Sequence, residues 1–344
     1  MKLLAESPHA SDTQPPIYHS IKTAFLLAES SGILSLRVFQ VMILVTIYEL
    51  GHAIYPAAYL TIGTCARYGT ALGLNKTVEQ FDTPSIGGSE RELEEKRRSW
   101  WAVIVLDRFV NLGCSDNACM FENPSADSIL PINDDLWDRG DEACSPAHRL
   151  SSPPIESMGR FSLTVQASIL LGKVFRHTHE SPEVDGFKAQ EARSLENTLV
   201  ALTNVSLQEG RSRGIVLCSP TTICFSARLL LHDSERRPGN TGADITDRFR
   251  YQEISSDIAA YMRSLAEALK SRGYRLAEEA SPLCLEAMYR SGIMYARRYS
   301  ETSDLEDLHA FDIIVAGLQV MSTRWRLAAC YNKLLEARKI TGIL

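Results

Sequence analysis

The stretch ERELEEKRRSWWAVIVLDRFVNL, Glu90 to Leu112, changes character halfway along. Its first half is charged, and opposite charges stand four apart: Arg91 with Glu95, Glu92 with Lys96, Glu94 with Arg98. That spacing puts each pair on one helix face and stabilises the helix by ~0.2–0.5 kcal/mol per pair. Ser89, with Glu92 three residues on, has the form of a capping box. The second half is apolar nearly all round, which predicts a buried helix. One continuous helix therefore runs from a solvated start into a core. From 90 to 108 there are five charges of each sign, so this is no basic arm for DNA, and a solvated face accounts for most of the first half.

Helical signals continue on both sides. One helix is expected over 16–31, ending near Gly32, and a second from Ser35 through SLRVFQVMILVTIYELG to Gly51. A third follows Pro56, reads PAAYLTIGTCARYGTALGL and closes at Gly73. A loop with Pro84, Gly87 and Gly88 precedes the helix at Ser89. Residues 114–155 read as irregular, with prolines at 124, 131, 153 and 154 and the acidic run DDLWDRGDE at 134–142. That run, with Leu136 and Trp137 embedded, reads as a solvated loop, with an activation segment as the alternative. The same stretch is the candidate internal boundary, between regions 1–150 and 151–344 packed as one unit. Helical patterns return at 157–180, 187–209, 219–236, 246–272, 274–300 and 304–339. No period-two run is followed by a hairpin turn. The expected fold class is all-α, a large orthogonal multi-helix bundle.

The 344 residues are 45% hydrophobic and 23% charged, ample for a core without staples. Net charge is −6, which argues against a surface built to grip phosphates. The longest apolar run, VFQVMILVTIY from Val38 to Tyr48, falls short of the ~20 residues of a membrane span. The N-terminal sequence lacks the apolar stretch of a secretory signal. Eight cysteines, at 65, 114, 119, 144, 218, 224, 284 and 330, are scattered as in proteins of reducing compartments. Cys114 and Cys119 have no second pair to complete a zinc site. His177 and His179 have no evident third ligand and read as ordinary exposed histidines. No Walker pattern, dinucleotide glycine motif or nucleophile elbow is present. No residue is assigned a catalytic, cofactor or metal role.

Four charges sit awkwardly. Asp107 and Arg108 lie inside the apolar half of the 90–112 helix, Glu49 ends an apolar helix, and Arg67 interrupts another. Stranding one member of a buried ion pair costs ~3–5 kcal/mol. Two readings stand: the four satisfy one another in a buried network, or each reaches solvent on its own stem.

Taken in order, Tyr48-Glu49-Leu50-Gly51, AAYLTIGTCARYGTALGL, ERELEEKRRSWWAVIVLDRF and a proline-containing loop ending LPINDD resemble the fungal-specific transcription factor domain. This is the middle homology region of fungal zinc-cluster regulators. Its Arg-Arg-x-x-Trp and Leu-Asp-Arg elements correspond here to Arg97, Arg98, Trp101, Leu106, Asp107 and Arg108. The resemblance is best over 20–140; residues 150–344 agree in being helical. It implies a transcriptional regulator of nuclear location (otherwise cytoplasmic), with control of a metabolic or secondary-metabolite gene cluster as an expectation. Partners would be other transcription regulators or a full-length homologue, with a small-molecule effector anchored by the buried charges. Two departures stand out. Gly113-Cys114-Ser115 replaces the family's Gly-Arg-Pro. No cysteine precedes Cys65, and only Lys2 and Lys22 are basic before Arg37. The family's zinc cluster is therefore expected only upstream, if anywhere, and DNA contact only indirectly. The alternatives are a stand-alone interaction module and, further off, an unrelated helical enzyme.

Overall fold

The computed structural model describes residues 2–5, 14–79, 89–112, 121–141, 146–179, 187–235 and 245–341. Cys114, Cys119, Cys144, the Gly113-Cys114-Ser115 departure and the Gly87–Gly88 loop lie outside them. Every regular element among them is helical, and the one extended contact is a lone bridge between Ile129 and Arg149. The all-α expectation holds. No described helix is long and apolar enough to cross a membrane. The chain divides into two compact units, Met1–Ile169 and Leu170–Leu344, and the division falls inside a helix, α7 (Arg160–His179).

The first unit contains α1 (Lys2–Ala5), α2 (Pro16–Ser30), α3 (Leu36–Gly51), α4 (Ala57–Ala71), α5 (Glu90–Val110), α6 (Asp134–Arg139) and the start of α7. The caps are where the sequence places them, with serine hydroxyls taking orphan N–H groups of the first turn. The Ser35 hydroxyl accepts from the Arg37 N–H at 3.2 Å, and the Ser89 hydroxyl from the Glu92 N–H at 3.2 Å. Helices α3, α4 and α5 pack on one another and bury Phe39, Met42, Ile62, Trp100, Trp101 and Ile104. Gly69 of α4 makes this approach possible. A Cβ there would lie 2.8 Å from the Trp100 ring and 2.9 Å from the Phe39 ring.

The second unit continues with α8 (Phe187–Ser212), α9 (Ser219–Glu235), α10 (Ile245–Arg272), α11 (Tyr274–Glu279), α12 (Leu285–Thr302), α13 (Leu305–Met321) and α14 (Arg326–Thr341). At its centre α13 packs on α10 and α12. Gly317 of α13 lies against the Ala266 backbone, where a Cβ would come within 2.9 Å of Cα.

Three expectations need correction. The segment 274–300 is not one helix, because Pro282 opens a short 3-10 turn, Pro282–Cys284, between α11 and α12. The segment 304–339 is broken at 322–325. There the hydroxyls of Ser322 and Thr323 compete with the helix for its carbonyls. They donate to Gln319 and Val320 at 2.7 and 2.8 Å. The buried Trp325 indole donates to the Ala280 carbonyl at 2.8 Å, a tertiary contact with no local signal. The acidic run is not simply a solvated loop, since Asn133 caps α6 through the Asp135 N–H at 2.8 Å.

An exposed helical glycine changed to alanine gains stability, by about 1 kcal/mol. Gly69→Ala should do the reverse and cost about 1–3 kcal/mol through overpacking against the two rings. Denaturant unfolding of wild type and variant gives the sign directly.

Candidate functional site

Helix α5 organises the polar interior of the first unit. Glu94, Arg97, Arg98 and Trp101 share one side of it, at the three- and four-residue spacings of a helical face. Glu94, Arg98 and Trp101 grip the segment 129–134, and Arg97 braces Glu94. A Glu94 carboxylate oxygen accepts from the Ile132 N–H at 2.9 Å. Arg98 donates to the Ile132 carbonyl at 3.2 Å and to the Asp134 carboxylate at 2.5 Å. The Trp101 indole N–H donates to the Ile129 carbonyl at 2.9 Å. Arg97 donates to Glu94 at 2.8 Å and to the Thr77 carbonyl at 3.2 Å, tying in the 3-10 turn Leu74–Val78. Glu94 and Arg97 are thus buried, not part of a solvated face. Burial raises the Glu94 carboxyl above its ordinary range, against the opposing pull of Arg97, the Ile132 N–H and Arg98.

Arg98 also fixes α6. Its guanidinium lies 5.4 Å from the Trp137 ring centroid and 5.1 Å from that of Phe161, and Arg91 covers Trp137 at 4.4 Å. At such distances a cation is drawn to the ring face. The second Asp134 oxygen accepts from the Phe161 N–H at the start of α7, at 2.9 Å. The acidic run is therefore docked through Asp134 and Trp137.

Further along α5, about 14 Å from Arg98 at roughly 1.5 Å per residue, Asp107 and Arg108 form a separate group. Both are buried and pair at 2.6 Å. Arg108 continues to the carbonyls of Phe121 and Glu122 at 3.0 and 3.4 Å. Asn111 donates to the Asp107 carboxylate at 3.3 Å.

Of the two readings of these charges, the four-charge network does not form. Glu49 is wholly buried, but its partners are the Tyr18 hydroxyl at 2.7 Å and Lys22 at 2.9 Å, both from α2. Lys22 also donates to the Thr61 hydroxyl at 2.8 Å. Arg67 lies on the exposed face of α4 and reaches solvent. Asp107 is instead satisfied by its own neighbour, which sequence spacing did not suggest.

The second unit holds a polar group that sequence reasoning missed. Glu196 of α8 takes the Arg228 Nε and Nη2 on one oxygen, at 2.9 and 2.7 Å, and His232 Nε2 on the other at 3.0 Å. His232 Nδ1 meets the Ser255 hydroxyl at 2.9 Å. Glu196 is buried, which by itself raises its carboxyl, but His232 and Arg228 outweigh this and bring it from 4.5 down to about 2. Arg228 and His232 sit four apart within the apolar run of α9, so the signal was the one that exposed Asp107 and Arg108. His177 is also buried and paired with Glu191 at 2.7 Å, correcting its reading as exposed; His179 is exposed.

This arrangement suits a scaffold. The buried carboxylates are occupied by cations or backbone donors. Burial pushes the Cys65 and Cys224 thiols up to about 12 and Cys284 to about 11. All three are far from nucleophilic thiolates. Among the described residues no group of three or more His, Cys, Asp or Glu is placed to hold a metal ion.

Comparison with known proteins agrees with this picture. A family model described as the fungal specific transcription factor domain matches residues 3–308. The chain is 39% identical over 102 residues to transcription factor BOA15 of Botryotinia fuckeliana, covering 28% of this chain and 55% of that protein. It is 29% identical over 146 residues to the xylanolytic transcriptional activator xlnR of Aspergillus clavatus, covering 38% and 15%. Against transcription factor tazR of Aspergillus terreus it is 33% identical over 73 residues, covering 21% and 12%. The matches thus span about half of the first relative and a small part of the other two. No solved structure matches the chain.

Asp107→Ala strands Arg108 and should cost ~3–5 kcal/mol, whereas Arg67→Ala should stay within ~0.5 kcal/mol. A double-mutant cycle on Asp107 and Arg67 should show no coupling. The depressed Glu196 carboxyl stabilises the native state fully above its unfolded value near 4.5, and this contribution is lost as pH falls toward 2. Glu196→Gln should therefore flatten the dependence of unfolding free energy on pH across that window.

Proposed function

The chain belongs to the fungal specific transcription factor domain family, and on that premise we propose that it is the regulatory part of a transcription regulator controlling a metabolic gene set. The family match carries the reading, because it runs through residues of both compact units and not one motif. The relatives are named as transcription factors or activators, and none as an enzyme. One of them is named for xylan breakdown, which favours metabolic control as the theme. Nuclear location follows from that role. The partners are other transcription regulators or a full-length homologue, and a small-molecule effector is the proposed input. Zinc enters only through a cluster encoded upstream.

A second reading, an interaction module that reaches DNA through a partner, is favoured by the net charge of −6 and by the balanced charges of α5, neither of which suits direct contact with phosphates. Mapping the 5′ end of the transcript separates the two. A frame that extends upstream into six closely spaced cysteines gives the regulator its own DNA contact. A transcript that starts at Met1 assigns that contact to a partner.

Regulation itself is tested by tethering. Fused to a heterologous DNA-binding domain, the chain should change reporter output, upward for an activator or downward for a repressor. Output equal to that of the DNA-binding domain alone, from a fusion shown to be folded, would sink the proposal.

A further inference from the structure

We propose that α2 is a hinged strap over the first unit, held shut by a lock of Lys22 and Tyr18 on the buried carboxylate of Glu49. Three observations carry this.

The first is how little apolar surface holds α2 down. Of its residues only Tyr18 is buried, and its two adjacent leucines, Leu26 and Leu27, are 61% and 62% exposed. A helix of this length usually docks by burying an apolar stripe, and here that stripe reduces to Tyr18 with partial help from Ile17, Ile21 and Phe25.

The second is where the polar contacts fall. Lys22 and Tyr18 both reach Glu49 of α3, at 2.9 and 2.7 Å, and Lys22 also reaches Thr61 of α4 at 2.8 Å. One ammonium thus joins α2 to both of the helices beneath it. Glu49 is wholly buried while Lys22 remains 31% exposed, so the lock's key is the accessible half. Hydrogen bonds to charged groups in such surroundings are among the strongest single contacts available. Burial and the neighbouring Glu49 push the Tyr18 phenol up, which keeps it a donor to that carboxylate.

The third is that the other end of α2 is fastened separately. The Tyr68 hydroxyl of α4 donates to the Ile33 carbonyl at 2.7 Å and accepts from the Ser35 N–H at 2.9 Å, pinning the turn that follows α2. Gly32 in that turn has a positive φ, a conformation natural to glycine. The turn is the hinge, and the lock lies toward the opposite end. Under the strap, shared with the buried Leu3 of α1, is an apolar trough of Val45, Tyr48 and Ile54 with Glu49 beside it. Opening therefore uncovers apolar surface and a carboxylate together, whereas the α3–α4–α5 contacts stay in place.

The test is amide hydrogen exchange on the full chain, comparing wild type, K22M and K22R. Exchange over α2 in K22M should rise about tenfold, the signature of a local opening, with α5 unchanged. K22R should restore protection, because it returns the cation. K22M/E49Q removes both charges without adding an apolar pair in their place; it should show the same opening confined to α2 and the trough. Exchange that rises equally through α5 would mean general destabilisation and would overturn the strap. Unchanged protection of α2 in the double variant would overturn the lock.

Discussion

The first unit depends on a mismatch between two kinds of structure. Segment 129–134 is irregular chain at the edge of the core: one bridge joins Ile129 to Arg149, and the N–H groups of Ile129 and Leu130 donate to the carbonyls of Val78 and His148 at 2.7 and 2.8 Å. Buried N–H and carbonyl groups must find partners, and where backbone does not provide them α5 supplies side chains. Glu94 takes an N–H, while Arg98 and Trp101 give to carbonyls. A carboxylate, a guanidinium and an indole on one helical face therefore stand in for a neighbouring strand. The arrangement buries charge, which is tolerated only in well-paired groups, and Arg97 and Arg98 stand three and four residues from Glu94.

The same economy shapes the rest of the interior. Asp107 with Arg108, Glu196 with Arg228 and His232, and Glu49 with Lys22 are separate islands, each anchored on a buried acid. In each of them a basic partner goes on to a further group: a backbone carbonyl, a serine hydroxyl or a threonine hydroxyl. Acids thus sit where helices pack, and bases carry the connection to less regular chain or to a neighbouring helix.

Much of this was legible beforehand, for identifiable reasons. Helices α2 to α5 were readable because their caps are local: Ser35, Ser89 and the breaks near Gly32 and Gly73 act on adjacent residues. Arg98, Trp101, Asp107 and Arg108 were readable as out-of-place charges or as family signature. What they bond to was not, since main-chain acceptors leave no trace in residue identity. The break before α14 was invisible because Trp325 bonds to Ala280, far away in the chain. Arg67 stayed between two readings because a single arginine in an apolar helix is equally at home on its outer face, and that is where it lies. Glu196 escaped because its helix is polar, and only its partners Arg228 and His232 lie in an apolar run.

One consequence of the α5 clamp concerns variation. Glu94, Arg98 and Trp101 hold Ile129 and Ile132 by atoms that every residue but proline shares. Substituting either isoleucine changes packing but leaves those three hydrogen bonds available. Substituting on the helix removes them. Mutational tolerance is therefore unevenly divided across a single interface: the helix side and Asp134 are fixed in chemistry, whereas Ile129 and Ile132 are held only in path. A lineage can rewrite the two isoleucine positions while the holder, and the aspartate at the end of the held segment, stay the same.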